Sequence, residues 1–78
     1  MALRTSARNR LPGVVTSVKL GEIMAQVDVR VGDNHIVSVI TREAAEELAL
    51  APGDDILVII KSTEVMVAKP DDETPYGA

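Results

Sequence analysis

The sequence predicts a small all-β domain with one short helix, and three observations predict it. Apolar and polar residues alternate over several short stretches, most cleanly in EIMAQVDVRV at residues 22–31. Turn signals built from Gly, Pro, Asp and Asn separate those stretches at short intervals. The hydrophobic share, 46% of 78 residues, comes mostly from Val, Ile, Leu and Ala, and only 1% of residues are aromatic. That palette suits a β-branched sheet core.

Residues 10–20, RLPGVVTSVKL, read as the first strand. Val14, Val15 and Thr16 are β-branched, and Pro12-Gly13 marks a bend or an edge near its beginning. After a turn at Gly21, residues 22–31 form the second strand, with Ile23, Ala25, Val27, Val29 and Val31 on one face. Met24, Gln26, Asp28 and Arg30 take the other. Gly32-Asp33-Asn34 predicts a hairpin into a third strand at residues 35–41, HIVSVIT.

The period then changes. Residues 41–48 read as a short helix, with Thr41 as N-cap, Glu43 in the first turn, and Arg42 and Glu46 one turn apart. Ala44, Ala45, Leu48 and Ala49 are its expected buried side. Pro52-Gly53 ends the segment. Residues 55–61, DILVIIK, form a fourth strand whose unbroken apolar run predicts cover on both faces. Residues 63–69, TEVMVAK, predict a fifth, and Pro70 ends it. The order β-β-β-α-β-β suits a five-stranded Greek-key barrel of the oligonucleotide-binding (OB) type, with an SH3-like barrel as the nearest competitor. The single domain is expected over residues 5–69, followed by a disordered acidic tail at 70–78.

Composition excludes several functions. Without cysteine there is neither a disulfide nor a thiolate metal site. A chain of this size is marginal alone, so oligomerisation is the expected route to stability. The net charge is −4, but three of the twelve acids lie in the tail, leaving nine against eight bases. A near-neutral body whose one aromatic residue, Tyr76, lies in the tail offers single-stranded nucleic acid neither charge nor stacking. There is no apolar leader and no membrane-length apolar run, so a cytoplasmic protein is expected.

Catalytic constellations are missing too. His35 is the lone imidazole and reads as an exposed residue at a strand start, while Glu43, Glu46 and Glu47 read as a solvated helix face. Two donor-rich segments remain. Ser6-Ala7-Arg8-Asn9 and Lys61-Ser62-Thr63 each combine hydroxyls with a fixed positive charge and contain no carboxylate. Arginine presents a planar fork to oxyanions and lysine a compact charge. If the segments meet, a small oxyanion would find donors on several sides. Taken singly, the first reads more readily as a solvated lead-in and the second as a polar strand junction.

The stretches TSARNRLPGVVTSVKLG, VSVIT, REAAEELAL, PGD and VIIKSTEVMVA together resemble the molbindins, small molybdate-binding proteins built from one or two Mop domains. The same domain is appended to molybdate-responsive regulators and to ATPase subunits of molybdate transporters. The resemblance spans residues 5 to about 69. It implies an OB-like barrel, a hexamer arranged as a trimer of dimers, and molybdate or tungstate bound between subunits. Ser6 and Arg8 of one subunit, with Lys61 and Ser62 of another, are then expected to line the principal pocket. Asn9 and Thr63 take supporting parts, and no side chain ligates a metal cation directly. Some members of the family have a second class of site near the threefold axes, to which no residues are assigned here. No helix-turn-helix or nucleotide-binding motif accompanies the domain. The expectation is therefore a non-enzymatic molybdate store or buffer, with a sensory or interaction module of a transport or regulatory system as the alternative.

Overall fold

A computed structural model describes residues 3–71 of the chain. Four strands and a helix follow one another as β1 (Asn9–Leu20), β2 (Met24–Val31), β3 (Asn34–Thr41), α1 (Arg42–Glu47) and β4 (Asp55–Ile60). All pairings are antiparallel, and the sheet order is β3-β2-β1-β4.

The long first strand organises the sheet. Its first half, Asn9 to Val14, pairs with β4, and its second half, Val14 to Leu20, pairs with β2. The halves are separated by a register shift between Val15 and Ser17, a bulge that leaves Thr16 unpaired. The Thr16 hydroxyl donates to the Asp28 carbonyl at 3.1 Å instead. A bulge adds local twist and bends the strand, so β1 serves two neighbours and the sheet curls. Val15, Val27 and Val29 are fully buried on the concave side, against Val18, Val31, Ile36, Ile40, Leu50, Ile56 and Val58 from all four strands and the segment after α1. The period-two reading of β2 holds from Ala25 onward, where Ala25, Val27 and Val29 are buried, but Ile23, expected on the same face, lies ahead of the strand and is exposed.

The turns follow from their residues. Val31 pairs with Asn34 across a two-residue turn in which Gly32 takes φ +59°, a left-handed backbone that glycine adopts without a Cβ penalty. Gly13 meets a different demand. A Cβ built there would lie 2.7 Å from Val29 Cγ1 and 2.8 Å from the Arg30 carbonyl oxygen, so β2 closes on β1 only because that position has no side chain.

Helix α1 starts as expected, with Thr41 Oγ1 accepting the Ala44 N–H at 3.1 Å. Its end differs from expectation. Ala45 is buried, but Leu48 is exposed and Ala49 turns away with φ +51°. Ala49 N–H donates to Glu46 O and Leu50 N–H to Ala45 O, the paired bonds of a Schellman cap. The reversal delivers Leu50, rather than Leu48 or Ala49, to the core. An L-residue in the left-handed region costs about 1–2 kcal/mol. Ala49→Gly is therefore expected to stabilise the protein by roughly 1 kcal/mol, read as a higher denaturation midpoint with an unchanged m-value.

Two further expectations need correction. The fifth strand over residues 63–69 is not formed: four strands are present among the described residues, and β4 is followed by a 3-10 turn at Ser62–Glu64. Alternation is necessary for a strand but not sufficient, because backbone N–H and C=O groups need a partner ladder. The turn takes the chain off the sheet, leaving Met66 and Val67 93% and 90% exposed. β4 is not covered on both faces either, since it is an edge strand and Ile59 is 47% exposed. Of the predicted tail, residues 72–78 lie outside the described residues. Among the described residues no helix is long and apolar enough to cross a membrane.

Asp28 anchors a small polar cluster beside the bulge. It accepts from Gln26 Nε2 at 2.9 Å and lies 3.4 Å from His35 Nε2. The Gln26 hydrogen bond, aided by His35 and Ser17 and opposed by desolvation, holds the Asp28 carboxyl below its ordinary 3.8. A depressed carboxyl pKa contributes stability that is present above the unfolded value and lost as pH falls through the folded one. Denaturation midpoints taken from about pH 5 to about pH 2.5 are expected to fall further in the parent than in Gln26→Leu, which lacks the donor.

Candidate functional site

The β1–β4 pair brings together two segments that lie far apart in sequence. Its last rung joins Asn9 to Ile60. Residues 5–8 therefore lead into the sheet beside the point where residues 61–63 leave it. The Asn9 side chain secures the junction, with Nδ2 donating to the Ile60 carbonyl at 3.2 Å. Asn9 thus ties the two segments and does not itself line the space between them.

That space is an open cavity of about 460 Å³, bordered by Thr5, Ser6, Ala7, Arg8, Ile59, Lys61, Ser62 and Thr63. Ser6, Arg8, Lys61 and Ser62 all border it, and so does Thr63. The resemblance implies that the two segments meet between subunits; within one chain they already border one cavity. Thr5, outside the expected set, lines it as well. Its only sequence signal was its place at the head of the donor-rich stretch.

The electrostatics of the cavity are one-signed. Arg8 and Lys61 line it and no carboxylate does. Arg8 immediately precedes Asn9 and Lys61 immediately follows Ile60, so the two cations flank the same rung. Two like charges bordering one cavity repel each other. The ion pairs among the described residues are His35–Asp28 and Arg42–Glu46, so neither cavity cation is neutralised there. Four hydroxyls, from Thr5, Ser6, Ser62 and Thr63, add neutral donors. A group with negative charge and only acceptor oxygens complements this lining, and a cation does not.

The remaining cavities lack this character. The space near the β2–β3 turn, about 520 Å³, sets Arg30 among Asp33 and Asp55, so an anion there would face two carboxylates. Beside α1, Glu22, Glu43 and Glu46 surround Arg42, which is engaged with the Gly21 carbonyl at 3.1 Å and with Glu46 at 3.5 Å. An opening between β3 and β4 is mostly apolar, lined by Val27, Ile40, Leu48, Leu50 and Ile56 among others. No group of three or more His, Cys, Asp or Glu able to hold a metal ion occurs among the described residues.

Comparison with known proteins identifies a family. The TOBE domain family matches residues 5–67. The chain is 40% identical over 68 residues to the molybdenum transport protein ModE of Azotobacter vinelandii, covering 86% of this chain and 25% of that protein. It is 43% identical over 63 residues to molybdenum-pterin-binding protein 1 of Clostridium pasteurianum, covering 80% of this chain and 93% of that one. It thus spans about a quarter of the first curated relatives it matches and nearly all of the smaller ones. Among solved structures, a molybdate binding protein from Sporomusa ovata superposes with a TM-score of 0.82 at 31% identity, covering 86% of this chain and 100% of that one.

Proposed function

The chain is a member of the TOBE domain family, in its molybdenum-pterin-binding (molbindin) branch, and from that premise we propose that it is a non-catalytic cytoplasmic binder of molybdate and tungstate, serving molybdenum storage or homeostasis. One observation carries the reading: the Asn9–Ile60 rung sets Ser6, Arg8, Lys61 and Ser62 around a single cavity without a carboxylate. In this proposal those four side chains hold the anion, Thr63 assists, and Asn9 fixes the two segments relative to each other.

The chemistry of the ligand fits. Molybdate is a tetrahedral dianion at neutral pH, so its four oxygens accept hydrogen bonds and donate none. Arg8 supplies a directional fork and Lys61 a point charge, and the hydroxyls satisfy the remaining oxygens. Sulfate has the same charge and shape but is smaller, so discrimination rests on spacing held by the β1–β4 junction. The described residues contain no Phe, Tyr or Trp on which a pterin could stack.

Assembly belongs to the proposal. A free 8.3 kDa chain exposes Val37, Val39, Ile59, Met66 and Val67, more apolar surface on its edge strands and C-terminal segment than a stable monomer usually leaves in water. A hexamer arranged as a trimer of dimers would cover it and would surround the cavity further.

Calorimetry is the test. Micromolar protein is expected to release heat on binding molybdate and tungstate, and far less with sulfate. No heat with either oxyanion would remove the storage reading. Native mass spectrometry on the same sample is expected to show six copies with bound anions; a bare monomer would remove the assembly. A second reading, a sensory or interaction module acting within a larger system, is favoured by the match to only a quarter of ModE, and a null calorimetric result would leave it standing.

A further inference from the structure

Thr5 is the polar cavity residue that neither the donor motifs nor the proposed ligand set accounts for. Its Oγ1 accepts the Ala7 N–H at 3.1 Å, a local tie across two residues. Residues 5–8 lie ahead of the β1 ladder, so the tie supplies order that the sheet does not. It fixes the backbone between Ser6 and Arg8, the two residues through which this segment meets the cavity.

The same bond leaves the hydroxyl proton of Thr5 available. A hydroxyl has one donor and two acceptor sites, and here one acceptor site is used. Among the described residues the hydroxyl has no hydrogen-bond acceptor of its own, and no carboxylate lines the cavity to capture it. An oxygen already accepting a bond is polarised toward donation. We propose that Thr5 is both an oxyanion donor and the positioning residue of this site: its O–H donates to the bound tetrahedral dianion while its oxygen holds the Ser6–Arg8 backbone through Ala7. This inference rests on the oxyanion-binding reading above.

Thr5→Val keeps the volume and the β-branch and removes both bonds, whereas Thr5→Ser keeps both bonds and loses only the methyl. Titration with sodium molybdate is expected to show affinity lowered about tenfold in Thr5→Val, the scale of one solvent-accessible bond to a charged acceptor, and within about threefold of the parent in Thr5→Ser. Thermal melting of the ligand-free variants, both expected to match the parent because Thr5 is exposed, separates lost binding from lost folding. Unchanged affinity in Thr5→Val overturns the inference, as does an equal loss in both variants, since the methyl would then be what matters. Arg8→Ala, titrated alongside, separates the two ideas. Loss in Arg8→Ala without loss in Thr5→Val removes the role of Thr5 and leaves the oxyanion site standing. A parent protein that binds neither molybdate nor tungstate removes both.

Discussion

Arg8→Ala and Lys61→Ala are each expected to weaken molybdate binding by about ten- to a hundredfold while leaving the ligand-free fold intact, the range for one hydrogen bond between a charged donor and a charged acceptor. The fold should survive because both side chains are exposed and lie beyond the last rung of the β1–β4 ladder. Neither has an ion-pair partner among the described residues, so removing one strands no carboxylate. The ligand-free variants are expected to melt at or slightly above the parent temperature, since each removes one of the two like charges bordering the cavity. Calorimetry gives the affinity and circular dichroism melting gives the stability. Retained affinity in both variants would show that the anion binds elsewhere.

Gly13→Ala is expected to have the opposite profile, costing about 1–3 kcal/mol of stability through overpacking. The added methyl would meet Val29 Cγ1 at 2.7 Å and the Arg30 carbonyl at 2.8 Å. The valine side chain has little room to yield because Val29 is fully buried, and the carbonyl belongs to the β1–β2 ladder. Relief therefore requires moving β2 away from β1 beside the bulge. Chemical denaturation should give a lower midpoint, and a midpoint equal to the parent's would mean that the strands separate there at no cost.

Much of this architecture is visible in the residues before any coordinates are considered. The alternation of β2, the glycine-led hairpin and the Thr41 cap are local effects, and local effects can be read from a sequence. What escaped the reading depends on partners or on backbone angles that side chains do not announce. TEVMVAK has the alternation of a strand, but among the described residues no neighbouring ladder receives it. The end of α1 is not announced by its residues, because the left-handed position is alanine, which carries none of the signal that a glycine gives. The two donor segments stand out by composition alone. Their convergence does not, because it is set by the Asn9–Ile60 register, a contact spanning 51 residues.

That same rung has a consequence for persistence in the cell. The two halves of the proposed site come from opposite sides of one long-range pairing, so an unfolded or half-folded chain has no site. Every anion bound is then bound by the native state alone, and occupancy resists unfolding by mass action. At a ligand concentration one hundred times Kd the gain is about 2.7 kcal/mol, large for a domain this small. Opening the last rung would also require the anion to leave first, so the loaded form should unfold more slowly and survive protease longer. The cargo would then act as a clasp on its own container, and a cell short of molybdate would clear the empty protein faster than the filled one.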